Sequence, residues 1–347
     1  MSQLLQDIAE QPAVLRAALE EYTRRTSTLS SIAREWALRS MRSHVVMTGM
    51  GSSYSASYPA ATYLNNRGVP TFLVDASELL HYQLNLALKA GLLVVVSQSG
   101  ESAEIRRLIS VLPPDVPVVG ITNNRDSRLA RRAQWILELN AGDERTVASK
   151  THTATQLTLL LFAAYLAGDN RGQIIADGLR AIDALERFLA RWEAPIDHAV
   201  EQLSEASSLT IIARGYGIGA ALAGALTIEE IARLQARAVG GGLFRHTSLE
   251  TVRQDFHACM LIGPDGTRNL MLDMASELAG YGGNIVLVGN DLPKEGAHVA
   301  IELSSTSAQF APMLQIVPLQ LLAYALAQRR GLEPGRLDRL RKVIETE

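Results

Sequence analysis

Apolar positions in the first forty residues recur at helical spacing: Leu5, Ile8, Val14, Leu15, Leu19 and Tyr22, then Ile32, Trp36 and Leu38. Pro12 must start or interrupt a helix there, because its ring removes an N–H that an inner turn needs. From His44 the period changes. Short apolar runs at 44–47, 71–74, 92–96 and 118–121 alternate with helical segments at 55–64 and 103–112. Such runs, rich in Val and Ile and separated by helices, predict βαβ units and a parallel sheet covered on both faces. Residues 154–166 and 174–189 read as two amphipathic helices.

The pattern then restarts. A strand at 209–213 runs into Arg214-Gly215-Tyr216-Gly217-Ile218-Gly219 and a helix, much as the strand at 44–47 runs into Gly49-Met50-Gly51-Ser52-Ser53 and a helix. Further strands are expected at 258–262, 284–288 and 298–303, with helices at 270–278 and 308–329. The predicted fold class is α/β: two tandem three-layer domains with parallel sheets, after a helical preface and before a short tail. The boundaries expected are 1–40, 41–170, a helical connection over 171–200, 201–330, and a tail over 331–347. No low-complexity linker divides the halves, so they are expected to share a site.

Composition narrows the classes. The 347 residues are 47% hydrophobic and 20% charged, the usage of an ordinary globular protein, which excludes wholesale disorder. Lys plus Arg is 33 and Asp plus Glu 36, scattered along the chain for a net charge of −3; neither nucleic acid nor an anionic membrane is an expected partner. The one cysteine, Cys259, allows no disulfide framework and reads as a small core residue. The start, Met1-Ser2-Gln3-Leu4-Leu5-Gln6-Asp7, lacks a basic region before an apolar run, and the apolar stretch 157–167 is too short to span a bilayer; a cytoplasmic location without membrane segments is expected. The seven histidines show no ligand spacing, so no metal or other cofactor is expected.

Three strand-to-helix loops could carry chemistry. Gly49-Met50-Gly51-Ser52-Ser53-Tyr54 invites a dinucleotide reading, supported by Asp75 at the end of the next strand. Tyr54, where a third glycine belongs, argues against it. Ser97-Gln98-Ser99-Gly100-Glu101-Ser102 gathers three hydroxyls and an amide at a helix start, as a phosphate monoester requires. A single N-cap at Ser99 is the plainer alternative. Without Lys or Arg in the loop, one phosphate fits better than a triphosphate. Thr146-Val147-Ala148-Ser149-Lys150-Thr151-His152-Thr153 is a hydroxyl-rich segment joining the last strand of the first half to its closing helix. In the second half Ala223, Thr227 and Glu230 share one helical face while Glu229 turns away, and Gly240-Gly241-Gly242-Leu243-Phe244-Arg245-His246 reads as a glycine-rich loop ending in a group that can titrate near neutral pH.

In this order the segments resemble the double sugar-isomerase (SIS) domain proteins, the family that includes the isomerase half of glucosamine-6-phosphate synthase. The resemblance runs from Ile8-Ala9-Glu10-Gln11-Pro12 through the serine loops to Gln156-Leu157-Thr158, then from Leu222-Ala223-Gly224-Ala225-Leu226 and Glu230-Ile231 past His246 to Val317-Pro318-Leu319-Gln320 and Lys342. It implies that Ser97, Gln98, Ser99 and Ser102 hold a sugar 6-phosphate and that Ser52, Ser53, Val147 and Ser149 line the sugar. It further implies that Glu230 moves a proton between C1 and C2, that His246 opens the ring from a neighbouring subunit of a homodimer, and that Lys342 engages the open-chain carbonyl.

Departures from the family shape the expectation. Ser2 follows Met1 and the only cysteine is Cys259, so no glutaminase domain is expected to supply nitrogen. Ala223 and Thr227 stand where the synthase has Glu and Lys, Ser149-Lys150-Thr151 replaces Ser-Thr-Lys, and Thr247-Ser248 replaces Gly-Pro. An isomerase, deaminase or deglycase acting on a hexose 6-phosphate or amino-sugar 6-phosphate is therefore expected; the alternative is a non-catalytic sugar-phosphate-binding regulator.

Overall fold

The computed structural model describes residues 2–24, 26–39, 43–296 and 298–339, so Lys342 lies outside the described residues. Three helices precede the first strand: α1 (Gln3–Ala9), α2 (Gln11–Arg24) and α3 (Thr26–Arg39). The Ser2 hydroxyl caps α1 by accepting the Leu5 N–H at 3.3 Å. Pro12 falls in the first turn of α2, where a missing N–H costs nothing.

There follow β1 (Val45–Gly49), α4 (Gly51–Asn66), β2 (Thr71–Asp75), α5 (Ala76–His81), α6 (Leu84–Leu88), β3 (Leu92–Val96), α7 (Ala103–Val111), β4 (Val118–Thr122), α8 (Arg128–Arg132) and β5 (Trp135–Glu138). The five strands form one parallel sheet in the order β2-β1-β3-β4-β5, with Val45 level with both Thr71 and Leu92. Every residue of β1, β3 and β4 is buried, as continuous Val, Leu and Ile runs require when both faces are covered. On one face Val46, Leu93 and Val95 pack with Leu79, Ile105, Leu108 and Leu129. The other face carries α4, which packs along α9 (Lys150–Leu166).

After α10 (Arg171–Leu189) and α11 (Glu193–Gln202) the second half contains β6 (Ser208–Ala213), α12 (Gly217–Ala232), β7 (Gln235–Gly240), α13 (Gly241–Thr247), β8 (His257–Ile262), α14 (Arg268–Gly280), β9 (Asn284–Gly289), β10 (His298–Glu302) and α15 (Ala311–Arg329). Its parallel sheet has the order β10-β9-β8-β6-β7, which is the first sheet's order read by position in the repeat. Ile212, Met260, Ile262, Ile285 and Leu287 pack on Met271, Met274 and Leu278 of α14, while α12 and α15 pack against each other. By compactness the chain forms one unit from Ala13–Glu144 with Lys150–Gly178, and another from the segment up to Pro12, Arg145–Ser149 and Leu179–Asp338.

Three expectations change in detail. The helix expected at 154–166 starts at Lys150 and is not amphipathic: among its seventeen residues all but Tyr165 are buried, so it is a helix covered all round. The expected glycine-rich loop is instead the end of β7 and the helix α13, and none of Gly240, Gly241 and Gly242 takes a positive φ. A Cβ at Gly241 would lie 2.9 Å from Arg214 Nε and 3.0 Å from Met271 Sδ, so that glycine serves close packing. The strands β5 and β7 were outside the expected set; both are sheet edges, and β7 carries the exposed Gln235 and Arg237 that break an apolar run. The helix α15 is long and apolar enough to cross a membrane by length and composition, but 83% of that window is buried inside the fold, which makes it a core helix.

Candidate active site

The first sheet changes winding direction between β1 and β3, the place where open α/β sheets bind ligands at the carboxyl ends of their strands. Gly49 and Val96 end those strands side by side. A Cβ at Gly49 would sit 2.8 Å from the Val96 carbonyl oxygen and 3.0 Å from Ser53 Cβ, so only glycine lets the first turn of α4 close down on the sheet. Ser52, Ser53 and Tyr54 lie half-buried in that turn.

The neighbouring loop, 97–102, is a braced turn. Ser97 Oγ accepts the Gly100 N–H at 3.1 Å and Ser99 Oγ accepts the Glu101 N–H at 3.2 Å. The Gln98 carbonyl accepts the Asn123 N–H at 2.9 Å and the Thr122 hydroxyl at 3.1 Å, which ties the turn to the end of β4. Gly100 has φ +65°, and a Cβ there would be 2.2 Å from Ser127 Oγ; a side chain would be strained and would also clash. Ser102, not Ser99, is the N-cap of α7, and its side chain makes no capping hydrogen bond. Two hydroxyl oxygens thus act as acceptors inside the loop and keep their hydrogens for an outside acceptor, while the third hydroxyl is uncommitted. The loop's one charge, Glu101, accepts the Arg128 N–H at 2.6 Å and pairs with its guanidinium at 3.7 Å.

Beneath Ser52 lies the start of α9. Ser52 Oγ is 2.9 Å from Nδ1 of His152, which is buried. Burial pushes this imidazole's pKa down to about 4, a hydrogen bond to the Ser52 backbone and the charge of Glu144 opposing the shift without cancelling it. Glu144 Oε1 accepts the Thr151 N–H at 3.1 Å and Oε2 the Thr151 hydroxyl at 2.6 Å, so a carboxylate caps the helix from outside it. His152 is the residue whose part the sequence did not reveal; its signal was a lone imidazole in a hydroxyl-rich run ahead of an apolar helix.

The remaining candidates are placed as follows. Val147 and Ser149 are buried in the segment Arg145–Ser149. Glu230 is half-buried on α12 beside the buried Ala223 and Thr227, while Glu229 is exposed and accepts the Ala236 N–H at 3.2 Å, as the helical spacing predicted. His246 is exposed on α13, next to Arg245, which pairs with Glu277 at 2.6 Å. The structure therefore brings Ser52, Ser53, Ser97, Gln98, Ser99 and Ser102 to the carboxyl ends of β1 and β3 and sets Glu230 and His246 in the unit built on the second sheet. Asp75, the acid a dinucleotide reading would need, is the N-cap of α5 and accepts the Ser77 and Glu78 N–H groups at 2.9 and 3.1 Å. Burial pushes the Cys259 thiol up to about 12, the behaviour of an inert core residue. Among the described residues no group of three or more His, Cys, Asp or Glu could hold a metal ion.

Comparison with known proteins agrees with this fold. Residues 37–166, which hold the first sheet and the whole of α9, match the SIS domain family. The glutamine–fructose-6-phosphate aminotransferase (isomerizing) of Pyrococcus horikoshii is 30% identical over 352 residues, covering 99% of this chain. The chain spans 58% of that relative's length. The C-terminal domain of glucosamine-fructose-6-phosphate aminotransferase from Francisella tularensis superposes with a TM-score of 0.85 at 23% identity, over 97% of this chain and 98% of that one. Glucosamine-6-phosphate deaminase from Thermotoga maritima gives a TM-score of 0.78 at 20% identity, over 99% of each chain. With two five-stranded parallel sheets of one repeated topology and a family match across the first of them, residues 37–166 form a SIS domain, and the chain as a whole is similar in sequence to part of the Pyrococcus horikoshii aminotransferase and in fold to the Francisella tularensis C-terminal domain.

Proposed function

We propose that this protein is a phosphosugar isomerase or deaminase acting on a hexose 6-phosphate or an amino-sugar 6-phosphate. The observation that carries the reading is the 97–102 loop: hydroxyls that accept from their own backbone and keep their hydrogens to donate, at the mouth of α7, with the nearby carboxylate tied to Arg128. A phosphate dianion has acceptors only, so donors without a competing negative charge are what it needs.

In the proposed reaction Ser97, Gln98, Ser99 and Ser102 hold the phosphate, and Ser52, Ser53, Val147 and Ser149 run along the sugar. His246, from the partner subunit of a homodimer, transfers the anomeric hydroxyl proton to the ring oxygen, and the ring opens to a free carbonyl engaged by Lys342. Glu230 takes the proton from the carbon beside that carbonyl, leaving an enediol or enolamine, and returns it to the adjacent carbon. An amine at C2 would then leave as ammonia on hydrolysis of the imine, with water supplying the ketone oxygen. The replacement of the synthase's Glu and Lys by Ala223 and Thr227 supports amine release or simple isomerisation over amine transfer.

The test is a panel of sugar and amino-sugar 6-phosphates scored by the rise in melting temperature, because a ligand bound only by the folded state stabilises it by mass action. At least one should raise the wild-type melting temperature, and the Ser97→Ala/Ser99→Ala double variant should lose the response while free sugars without phosphate give none. An equal response from the double variant places the phosphate elsewhere. Binding without exchange of the C1 or C2 hydrogen into solvent would favour a regulator over an enzyme.

A further inference from the structure

His152 and Ser52 are separated by 100 positions in the chain, and their contact joins the start of α9 to the serine turn of α4. The imidazole is 2% exposed, and its second nitrogen, Nε2, is buried with no hydrogen-bond partner among the described residues. The ring is neutral at physiological pH, since burial holds its pKa near 4. A neutral imidazole carries one N–H, and only two arrangements are open. With the proton on Nε2, Ser52 donates to Nδ1 and a buried N–H has no acceptor. With the proton on Nδ1, the N–H donates to Ser52 Oγ and Nε2 remains a bare acceptor. Orphaned buried donors are the rarer of the two defects, so the second arrangement is favoured.

That choice has a chemical consequence. A hydroxyl oxygen that accepts from an N–H at a fixed position must direct its own hydrogen elsewhere. Ser52 is half-buried in the first turn of α4, beyond the carboxyl end of β1, and its Oγ makes no other hydrogen bond among the described residues. We propose that His152 is a positioning residue: its Nδ1–H donates to Ser52 Oγ and turns the Ser52 hydroxyl into a directed hydrogen-bond donor to an oxygen of the bound phosphosugar. The second part rests on the functional reading above, in which Ser52 lines the sugar. The first part does not.

Two measurements on the full-length protein separate them. In protein labelled with 15N histidine, long-range proton–nitrogen correlation reports which ring nitrogen is protonated, and the His152 signals are those missing from His152→Phe. The wild type should show the Nδ1–H form, unchanged between pH 8 and 5.5, and Ser52→Ala should shift the proton to Nε2. A wild-type Nε2–H form overturns the proposal. The second measurement is the affinity for fructose 6-phosphate or glucosamine 6-phosphate in a double-mutant cycle. Ser52→Ala and His152→Phe should each weaken binding by about two- to tenfold, the worth of one hydrogen bond, and the double variant should be no weaker than either. His152→Asn, whose amide can donate from a similar place, should restore most of the loss. Additive effects, or no rescue by Asn in a variant that folds, would show that His152 merely packs. If neither sugar phosphate binds the wild type, the functional reading falls, while the tautomer still decides the polarity of the pair.

Discussion

Ser97, Ser99 and Ser102 carry the same hydroxyl and are used differently: the first two accept backbone N–H groups inside the turn, and the third caps α7 only through its backbone conformation. A helix cap would need one of them, so the surplus supports the proposed phosphate site. His152 shows the same principle with a titratable group, and it makes a prediction of its own. Its ordinary pKa of 6.5 falls to about 4 on folding, so the unfolded chain takes up a proton at a pH where the folded chain cannot. The contribution of the neutral ring is fully present above pH 6.5 and is lost as the pH falls towards 4. On that shift the loss amounts to roughly 3 kcal/mol across the window. Urea unfolding at a series of pH values should give a steeper fall in stability between pH 6.5 and 4 for the wild type than for His152→Phe; parallel curves would mean that the ring is not held neutral.

The helix α9 illustrates how a segment can be legible in kind and wrong in character. A run of Leu, Ala and Thr from Ala154 predicts a helix, but helical periodicity distinguishes a half-buried helix from a fully buried one only when polar positions fall on one side. Here the polar residues Lys150, His152, Thr155, Gln156 and Thr158 are themselves buried, so their polarity does not mark a solvent face. The start of the helix is held by Glu144, six positions before the first helical residue and part of no capping pattern readable from spacing. A buried carboxylate that satisfies two groups of Thr151 contributes more than an exposed cap. Glu144→Ala should lower stability by about 1–3 kcal/mol, read from chemical denaturation, and should slow-exchange protection at the first amides of α9 should fall with it. An unchanged midpoint would show that the neighbouring turns hold the helix without it.

In both halves the first strand lies between the second and the third, so the repeat noticed after β1 and β6 extends to whole-sheet topology. The halves diverge in their loops. Where the first has 97–102, the corresponding turn after β8 reads Gly263-Pro264-Asp265-Gly266-Thr267, and Asp265 spends Oδ1 on the Thr267 N–H at 2.8 Å and its hydroxyl at 2.6 Å. The duplicated fold thus offers a hydroxyl-lined turn in one half and a self-satisfied carboxylate in the other, which suits one phosphate per chain. The proposed dimer, with His246 donated across a two-fold interface, predicts complementation. Inactive His246→Ala and inactive Glu230→Gln proteins, mixed so that subunits exchange, should recover about a quarter of wild-type sites, since half the dimers are mixed and each has one intact site. No recovery after proven exchange would place His246 in its own subunit's site or outside catalysis.

The class of fold, the repeat, most strands and the serine loops were legible because they rest on local regularities: buried parallel strands need unbroken apolar runs, and helix starts beside strand ends need small or hydroxyl residues. The SIS resemblance followed from several such segments in order. What only the folded chain decided were the relations between distant residues and the meaning of burial. The edge strands β5 and β7 exist because a neighbouring strand offers them partners, which outweighs their mixed sequences. Gly100 is needed because Ser127, twenty-seven positions away, occupies the space a side chain would take. Ser52 finds His152 only after α4 and α9 pack, and the ring loses its affinity for a proton only because that packing removes water. Such contacts are long-range and specific to the three-dimensional arrangement, so no periodicity along the chain encodes them.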